Sequence, residues 1–134
     1  MREPSPQTKE SRFALIDLGS NSLRLVLFDR ARAFAAPLIN EKAVVELGRG
    51  LDVDGKLQAD RIAEALRVLR HFKWLLDGLE VHDIHILATA VREARNASAL
   101  LEPLEALMGV RAQVLDGQEE ARLAAKGVAL ACPG

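Results

Sequence analysis

Downstream of Asp60, residues Ile62, Leu66, Leu69, Phe72, Leu76 and Leu79 follow one another at steps of three or four. That spacing puts all six side chains on one face of an α-helix. A stripe of roughly five turns needs an apolar surface to lie on, and this demand constrains the rest of the chain more than any other feature. Asp60 is the expected N-cap and Gly78 marks the frayed end. The partner surface has to come from strands on either side. Upstream, Phe13-Ala14-Leu15-Ile16 is a short apolar run that stops at Asp17, and Leu18-Gly19-Ser20-Asn21-Ser22 reads as a turn. Leu23, Leu25 and Leu27 then share one face of a second strand, with Val26 and Phe28 on the other. Two strands joined by such a turn predict a hairpin. Residues 41–47 predict a third, edge strand, and Pro37 argues against a central strand in the stretch before it. Residues 51–55 read as a loop closed by an Asp54-Gly55 turn.

Beyond the long helix, Ile84-His85-Ile86-Leu87-Ala88 is a compact apolar strand. Asn96 is placed to cap a helix carrying Leu100, Leu104 and Leu107, which Pro103 should kink or delay. Gly109 ends that helix, Val110, Ala112 and Val114 alternate as a strand, and Asp116 opens a last helix with Ala121, Ala124, Ala125 and Val128 inward. The order is β-β-(β)-α-β-α-β-α, an α/β fold whose strand-to-strand crossovers are right-handed and whose mixed sheet has a parallel part. A three-stranded meander followed by α-β-α-β-α is the order of the ribonuclease-H-like topology, an analogy that says nothing of chemistry.

Composition sets the outer limits. The chain has 134 residues, 49% apolar and 28% charged, which fits one soluble domain with a core that needs no staple. Cys132 is the single cysteine, so neither an internal disulfide nor a cysteine-based zinc site is available. Eighteen basic residues against nineteen acidic ones give a net charge of −1, with no like-charge block. No nucleic-acid or membrane partner is expected from that balance. Residues 1–12 are polar and hold Pro4 and Pro6, so they read as a disordered tail and not a signal peptide. The domain is expected at 13–134, and the compartment is expected to be the cytoplasm.

In an open α/β sheet, ligands bind beyond the carboxyl ends of the parallel strands. Three polar groups fall there: Asp17 with the 19–22 turn, Thr89 with Arg92, and Glu119 with Glu120. Together they offer a carboxylate for a hydrated cation, backbone donors for phosphate, a guanidinium fork and a base. Each also has a plain reading. Asp17 beside Gly19 and Ser20 fits an ordinary turn equally well, and Arg92 fits a solvated arginine paired with Glu93 or Glu120. Asp116-Gly117-Gln118-Glu119 fits a capping box, which makes Glu119 structural, and the helix dipole favours Glu120 in a first turn without any function. His82 and His85 have ligand-like spacing, but no further Cys, His or carboxylate completes a site, so they read as a strand-end pair. Neither a Gly-x-x-x-x-Gly-Lys loop nor a Gly-x-Ser-x-Gly elbow occurs, which excludes P-loop and α/β-hydrolase chemistry.

Whole phrases are more specific than single residues. The run Phe13-Ala14-Leu15-Ile16-Asp17-Leu18-Gly19-Ser20-Asn21-Ser22-Leu23-Arg24-Leu25 closely resembles the opening of the exopolyphosphatase / guanosine pentaphosphate phosphohydrolase (Ppx/GppA) family. Leu47-Gly48-Arg49-Gly50-Leu51, then Ala88-Thr89-Ala90-Val91-Arg92-Glu93-Ala94-Arg95-Asn96-Ala97, then Gly117-Gln118-Glu119-Glu120-Ala121-Arg122-Leu123 resemble later family phrases in the same order. The resemblance runs from about Phe13 to Val128.

It implies a ribonuclease-H-like lobe of the actin, sugar-kinase and heat-shock-ATPase superfamily. It further implies that Gly19, Ser20, Asn21 and Ser22 form the first phosphate loop, that Asp17 helps hold Mg²⁺, and that Arg92 binds a substrate phosphate. Glu120, immediately before Ala121-Arg122, corresponds to the family's general base. The implied substrates are inorganic polyphosphate, losing its terminal phosphate, or guanosine pentaphosphate, losing its 5′-phosphate. The family's second loop, Asp-x-Gly-Gly-Gly-Ser-x-Glu, would begin soon after Gly134, so the second lobe is expected to be absent here and the chain alone inactive. The 29–47 region looks shorter than the family's hairpin, and Gln58 stands where a better helix cap is common. The alternatives are a non-catalytic fragment that binds phosphate-rich ligands or a partner lobe, and the ATP-binding lobe of a related kinase, against which Glu119-Glu120-Ala121-Arg122 argues. An apolar wall without its facing lobe predicts a homo-oligomer.

Overall fold

A computed structural model describes residues 11–32, 36–89, 91 and 94–114. Strands β1 (Arg12–Leu18) and β2 (Ser22–Asp29) pair antiparallel from Arg12 opposite Asp29 to Leu18 opposite Leu23. A short 3-10 turn, Arg30–Arg32, leads towards β3 (Ile39–Val44), which lies antiparallel on β2. One helical turn, α1 (Leu51–Asp54), precedes the long helix α2 (Ala59–Gly78). Strand β4 (Ile84–Ala88) then joins β1 in parallel. After α3 (Ser98–Met108), β5 (Ala112–Val114) adds to β4, also in parallel. The sheet order β3-β2-β1-β4-β5, antiparallel on one side of β1 and parallel on the other, is the ribonuclease-H-like arrangement expected from the element order.

The period-two alternation of strands sorts the residues into two faces. Ala14, Ile16 and Leu18 of β1, Leu23, Leu25 and Leu27 of β2, and Ile84, Ile86 and Ala88 of β4 are all buried. They form one core with Ala65, Val68, Leu69, Phe72 and Leu76 of α2 and Leu100, Leu104 and Met108 of α3. The long amphipathic stripe thus finds the surface it requires. The opposite face is half-buried; there Phe13 and Phe28, direct cross-strand partners, stack at 5.3 Å.

The amino ends of β1 and β4 are latched by polar groups. The Arg30 guanidinium lies 4.5 Å above the Phe13 ring and forms an ion pair with Asp83. His85 Nε2 reaches the same carboxylate at 2.8 Å. Behind them, the buried Asp29 accepts hydrogen bonds from Ser11 Oγ at 2.6 Å and the Ala31 N–H at 3.0 Å.

Several local details differ from the sequence reading. β1 already includes Arg12, and the edge strand is Ile39–Val44 rather than 41–47. Residues 51–55 are not a loop: Leu51–Asp54 is helical and Gly55, at φ 72°, closes it by donating to Leu51 O at 2.8 Å. Gln58, not Asp60, occupies the N-cap of α2, and Asp60 sits in the first turn. Asn96 does not cap α3; Ala97 does, because the Asn96 side chain is engaged with Leu57. Pro103 neither delays nor ends α3, which starts at Ser98 and runs through it to Gly109 at φ 75°. Met108 is buried in that helix while Leu107 is only half-buried. The helix expected from Asp116 lies outside the described residues.

The two aromatic residues on α2 give a direct check on the core. Phe72 is 1% exposed and Trp74 is 69% exposed. Phe72→Ala should cost about 3–5 kcal/mol in urea unfolding, whereas Trp74→Ala should stay within about 0.5 kcal/mol. The latch gives a second check. The hydrogen bond from Arg30, followed by its charge and that of His85, holds the Asp83 carboxyl below its ordinary value. A depressed carboxyl contributes stability above its unfolded pKa and loses it as pH falls through the folded one. Side-chain exposures of 50% and 42% keep that contribution at about 0.2–1 kcal/mol. Asp83→Asn should therefore lower the melting temperature slightly at neutral pH, and the difference should shrink as pH falls below the ordinary aspartate range.

Candidate functional site

The register puts the carboxyl ends of β1 and β4 side by side, with Leu18 opposite Ala88 and Asp17 opposite Leu87. What leaves those ends shares one rim. From β4, Thr89 folds back onto β1: its N–H and its hydroxyl both donate to Leu18 O, at 3.2 and 3.3 Å. From β1, the chain turns immediately, because the Gly19 N–H donates to Ser22 O at 3.0 Å and a Cβ on Gly19 would crowd that same oxygen at 3.1 Å. Glycine is therefore what lets a turn this tight close.

A second segment backs the turn. Asn21 O accepts from the N–H groups of Val45 and Glu46, at 3.0 and 2.8 Å, and Ser20 O accepts from Gly48 at 2.9 Å. A side chain at 48 would meet Ser20 Cβ at 3.3 Å, so the close approach suits glycine. Arg61, in the first turn of α2, donates to Val45 O at 2.8 Å and ties the segment to the helix. With their carbonyls turned inward, Ser20 and Asn21 remain exposed, and a hydroxyl and a carboxamide stand at the surface. Asp17 is exposed on the half-buried face, between its register partners Arg24 and Leu87.

The structure thus brings together Asp17, Gly19, Ser20, Asn21, Ser22 and Thr89. Arg92, Glu119 and Glu120 lie outside the described residues. His82 and His85 belong to the opposite end of β4, where His85 is paired with Asp83. The shallow hollow lined by Trp74, Leu75, Asp77, Gly78 and Leu79 is also at that end, because α2 finishes just before β4 begins. The only signal in the sequence for the backing role of Val45, Glu46 and Gly48 is the glycine pair Gly48 and Gly50.

Among the described residues no group of three or more His, Cys, Asp or Glu could hold a metal ion. A single exposed carboxylate at a strand end suits Mg²⁺, which keeps much of its water and is commonly held by one or two carboxylates together with substrate phosphates. Asp17 fits that role.

The sequence signature of the Ppx/GppA phosphatase family matches residues 26–133. The crystal structure of the Aquifex aeolicus Ppx/GppA family member superposes with a TM-score of 0.81 at 32% identity, covering 92% of this chain and 40% of that one. An exopolyphosphatase from Cytophaga hutchinsonii superposes with a TM-score of 0.76 at 31% identity, covering 84% of this chain and 36% of that one. The chain therefore spans about 40% of the length of such relatives. With the expected sheet order, the turn after β1 and a match over most of its length, the chain belongs to the Ppx/GppA phosphatase family.

Proposed function

We propose that this chain is the N-terminal, phosphate-binding wall of a phosphoanhydride hydrolase. Its whole protein would release terminal phosphate from inorganic polyphosphate or the 5′-phosphate from guanosine pentaphosphate. The observation that carries this reading is the convergence of Asp17, the 19–22 turn and Thr89 at the carboxyl ends of β1 and β4. A rim of this kind meets the main demand of phosphoryl transfer, which is positioning and charge neutralisation rather than covalent chemistry by the protein. Gly19, Ser20, Asn21 and Ser22 would hold phosphate oxygens, and Arg92 would engage a further phosphate. Glu120 would take a proton from water as its oxygen bonds to the terminal phosphorus and the anhydride P–O bond breaks, leaving a shortened chain. Asp17 would hold Mg²⁺, which neutralises phosphate charge when bound.

The length of the relatives supports placing the facing wall outside this chain. The alternative in which the isolated chain binds phosphate ligands without hydrolysing them follows from the same fact. A cytoplasmic location belongs to this reading through the substrates. Self-association belongs to it too, through the apolar wall that a facing lobe would cover. Light scattering should then show mass rising with concentration; a constant monomer mass up to high concentration would remove it.

Phosphate release from polyphosphate and guanosine pentaphosphate, measured with malachite green, tests the catalytic assignments in a full-length family member carrying these residues. Glu120→Gln should slow turnover by roughly a hundred- to ten-thousand-fold with little change in KM. Arg92→Ala should affect both KM and kcat, because it removes charge from ground and transition states. The 134-residue chain alone should release little or no phosphate. Full turnover by the isolated chain, or an unchanged rate for Glu120→Gln, would contradict the assignments.

A further inference from the structure

The segment that backs the phosphate turn does not stand alone. Residues 48–57 form a continuous hydrogen-bonded bridge: Leu51 N donates to Gly48 O at 3.1 Å, Val53 N to Gly50 O at 3.1 Å, and Gly55 N to Leu51 O at 2.8 Å. Gly50, at φ 81°, lies against the Gln58 side chain, where a Cβ would approach within 3.0 Å. One end of the bridge touches the turn through Gly48 and Ser20. The other end is gripped from across the rim. The Leu57 N–H donates to Asn96 Oδ1 at 2.8 Å, and Asn96 Nδ2 donates to Leu57 O at 3.0 Å. This pair imitates a strand-to-strand contact between residues far apart in sequence. Beside it, the Arg95 N–H donates to Gly55 O at 2.7 Å and Arg95 Nη1 to Asp54 O at 3.3 Å. Leu57 itself is buried and Asn96 is half-buried, so water competes poorly for these bonds. Thr89, at the end of β4, is bonded to Leu18 O of β1.

We infer that Asn96 is a positioning residue for the phosphate turn. Its carboxamide holds the 48–57 bridge in place; the bridge holds the backbone of Ser20 through Gly48, and the Arg49 N–H on Glu46 O joins it to the Val45–Glu46 segment that holds Asn21. Asn96 touches no substrate in this account, and its effect on phosphate binding rests on the function proposed above. A carboxamide suits the task because it offers one donor and one acceptor side by side, matching the donor and acceptor of Leu57. Asn96→Ala removes both bonds, and Asn96→Asp keeps only the acceptor.

Amide hydrogen exchange on the full chain tests the inference without any ligand. In Asn96→Ala, exchange at Val45, Glu46 and Gly48 should accelerate by about tenfold or more, with Asn96→Asp intermediate. Exchange in β1 and β4 at Ile16 and Ile86 should change far less. Met108→Ala, a core truncation away from the rim, is the control for general destabilisation. If Met108→Ala accelerates the three rim amides as much as Asn96→Ala does, or if Asn96→Ala leaves them unchanged, the inference is wrong. Should Asn96→Ala fail to fold, Asn96→Asp against Met108→Ala carries the same comparison. A titration with Mg²⁺ and inorganic tripolyphosphate, well below the melting temperature, separates the two claims. Weaker binding by Asn96→Ala supports positioning, and unchanged binding despite faster exchange overturns its relevance to the ligand. Absence of binding by the unsubstituted chain would count against the proposed function and leave the exchange result to decide the positioning role.

Discussion

Strand β1 is paired on both sides, antiparallel to β2 and parallel to β4, and everything else in the domain hangs on that double pairing. The antiparallel side demands a tight return, which Gly19 makes possible. The parallel side demands a long crossover, which α2 provides. Because β1 and β4 run the same way, their carboxyl ends finish together. Chain leaving one end is thereby brought against chain leaving the other. The rim is therefore a consequence of strand direction, not of any attraction among its polar residues.

The two ends of this strand pair do opposite work. At the amino end, Arg30, Asp83, His85 and Phe13 interlock through charge and ring contacts, and Asp29 is buried with bonded partners. At the carboxyl end, backbone carbonyls turn inward to Val45, Glu46 and Gly48, and the Ser20 and Asn21 side chains are left at the surface. One end closes the fold largely through side chains, and the other largely through backbone bonds. That asymmetry agrees with the general rule that α/β sheets bind ligands beyond the carboxyl ends of their strands.

Much of this was legible in the sequence, and the failures have physical causes. The long stripe of α2 and the alternation in β2 repeat over many residues, so period alone identifies them. The turn after β1 was legible because its chemistry is local. Leu51–Asp54 escaped because one helical turn has no period to read. Asn96 does not act as a cap for a different reason: capping propensity is a local preference, and a tertiary partner overrides it. Asn96 has the right side chain for a cap, yet Leu57 offers it both a donor and an acceptor. The packing of Gly48 on Ser20 was likewise invisible, since it joins segments whose proximity only the sheet creates. The family's phrases pointed to the same residues without explaining why they meet.

The central claim is that anionic phosphate binds at the shared carboxyl end of β1 and β4. A crystal structure of this chain grown with Mg²⁺ and inorganic tripolyphosphate tests it most directly. The account predicts phosphate oxygens within hydrogen-bond distance of the 19–22 turn, with the cation beside Asp17. Tripolyphosphate bound instead at the Arg30 and Asp83 end, or in the hollow beside Trp74, with the turn left bare, would contradict it.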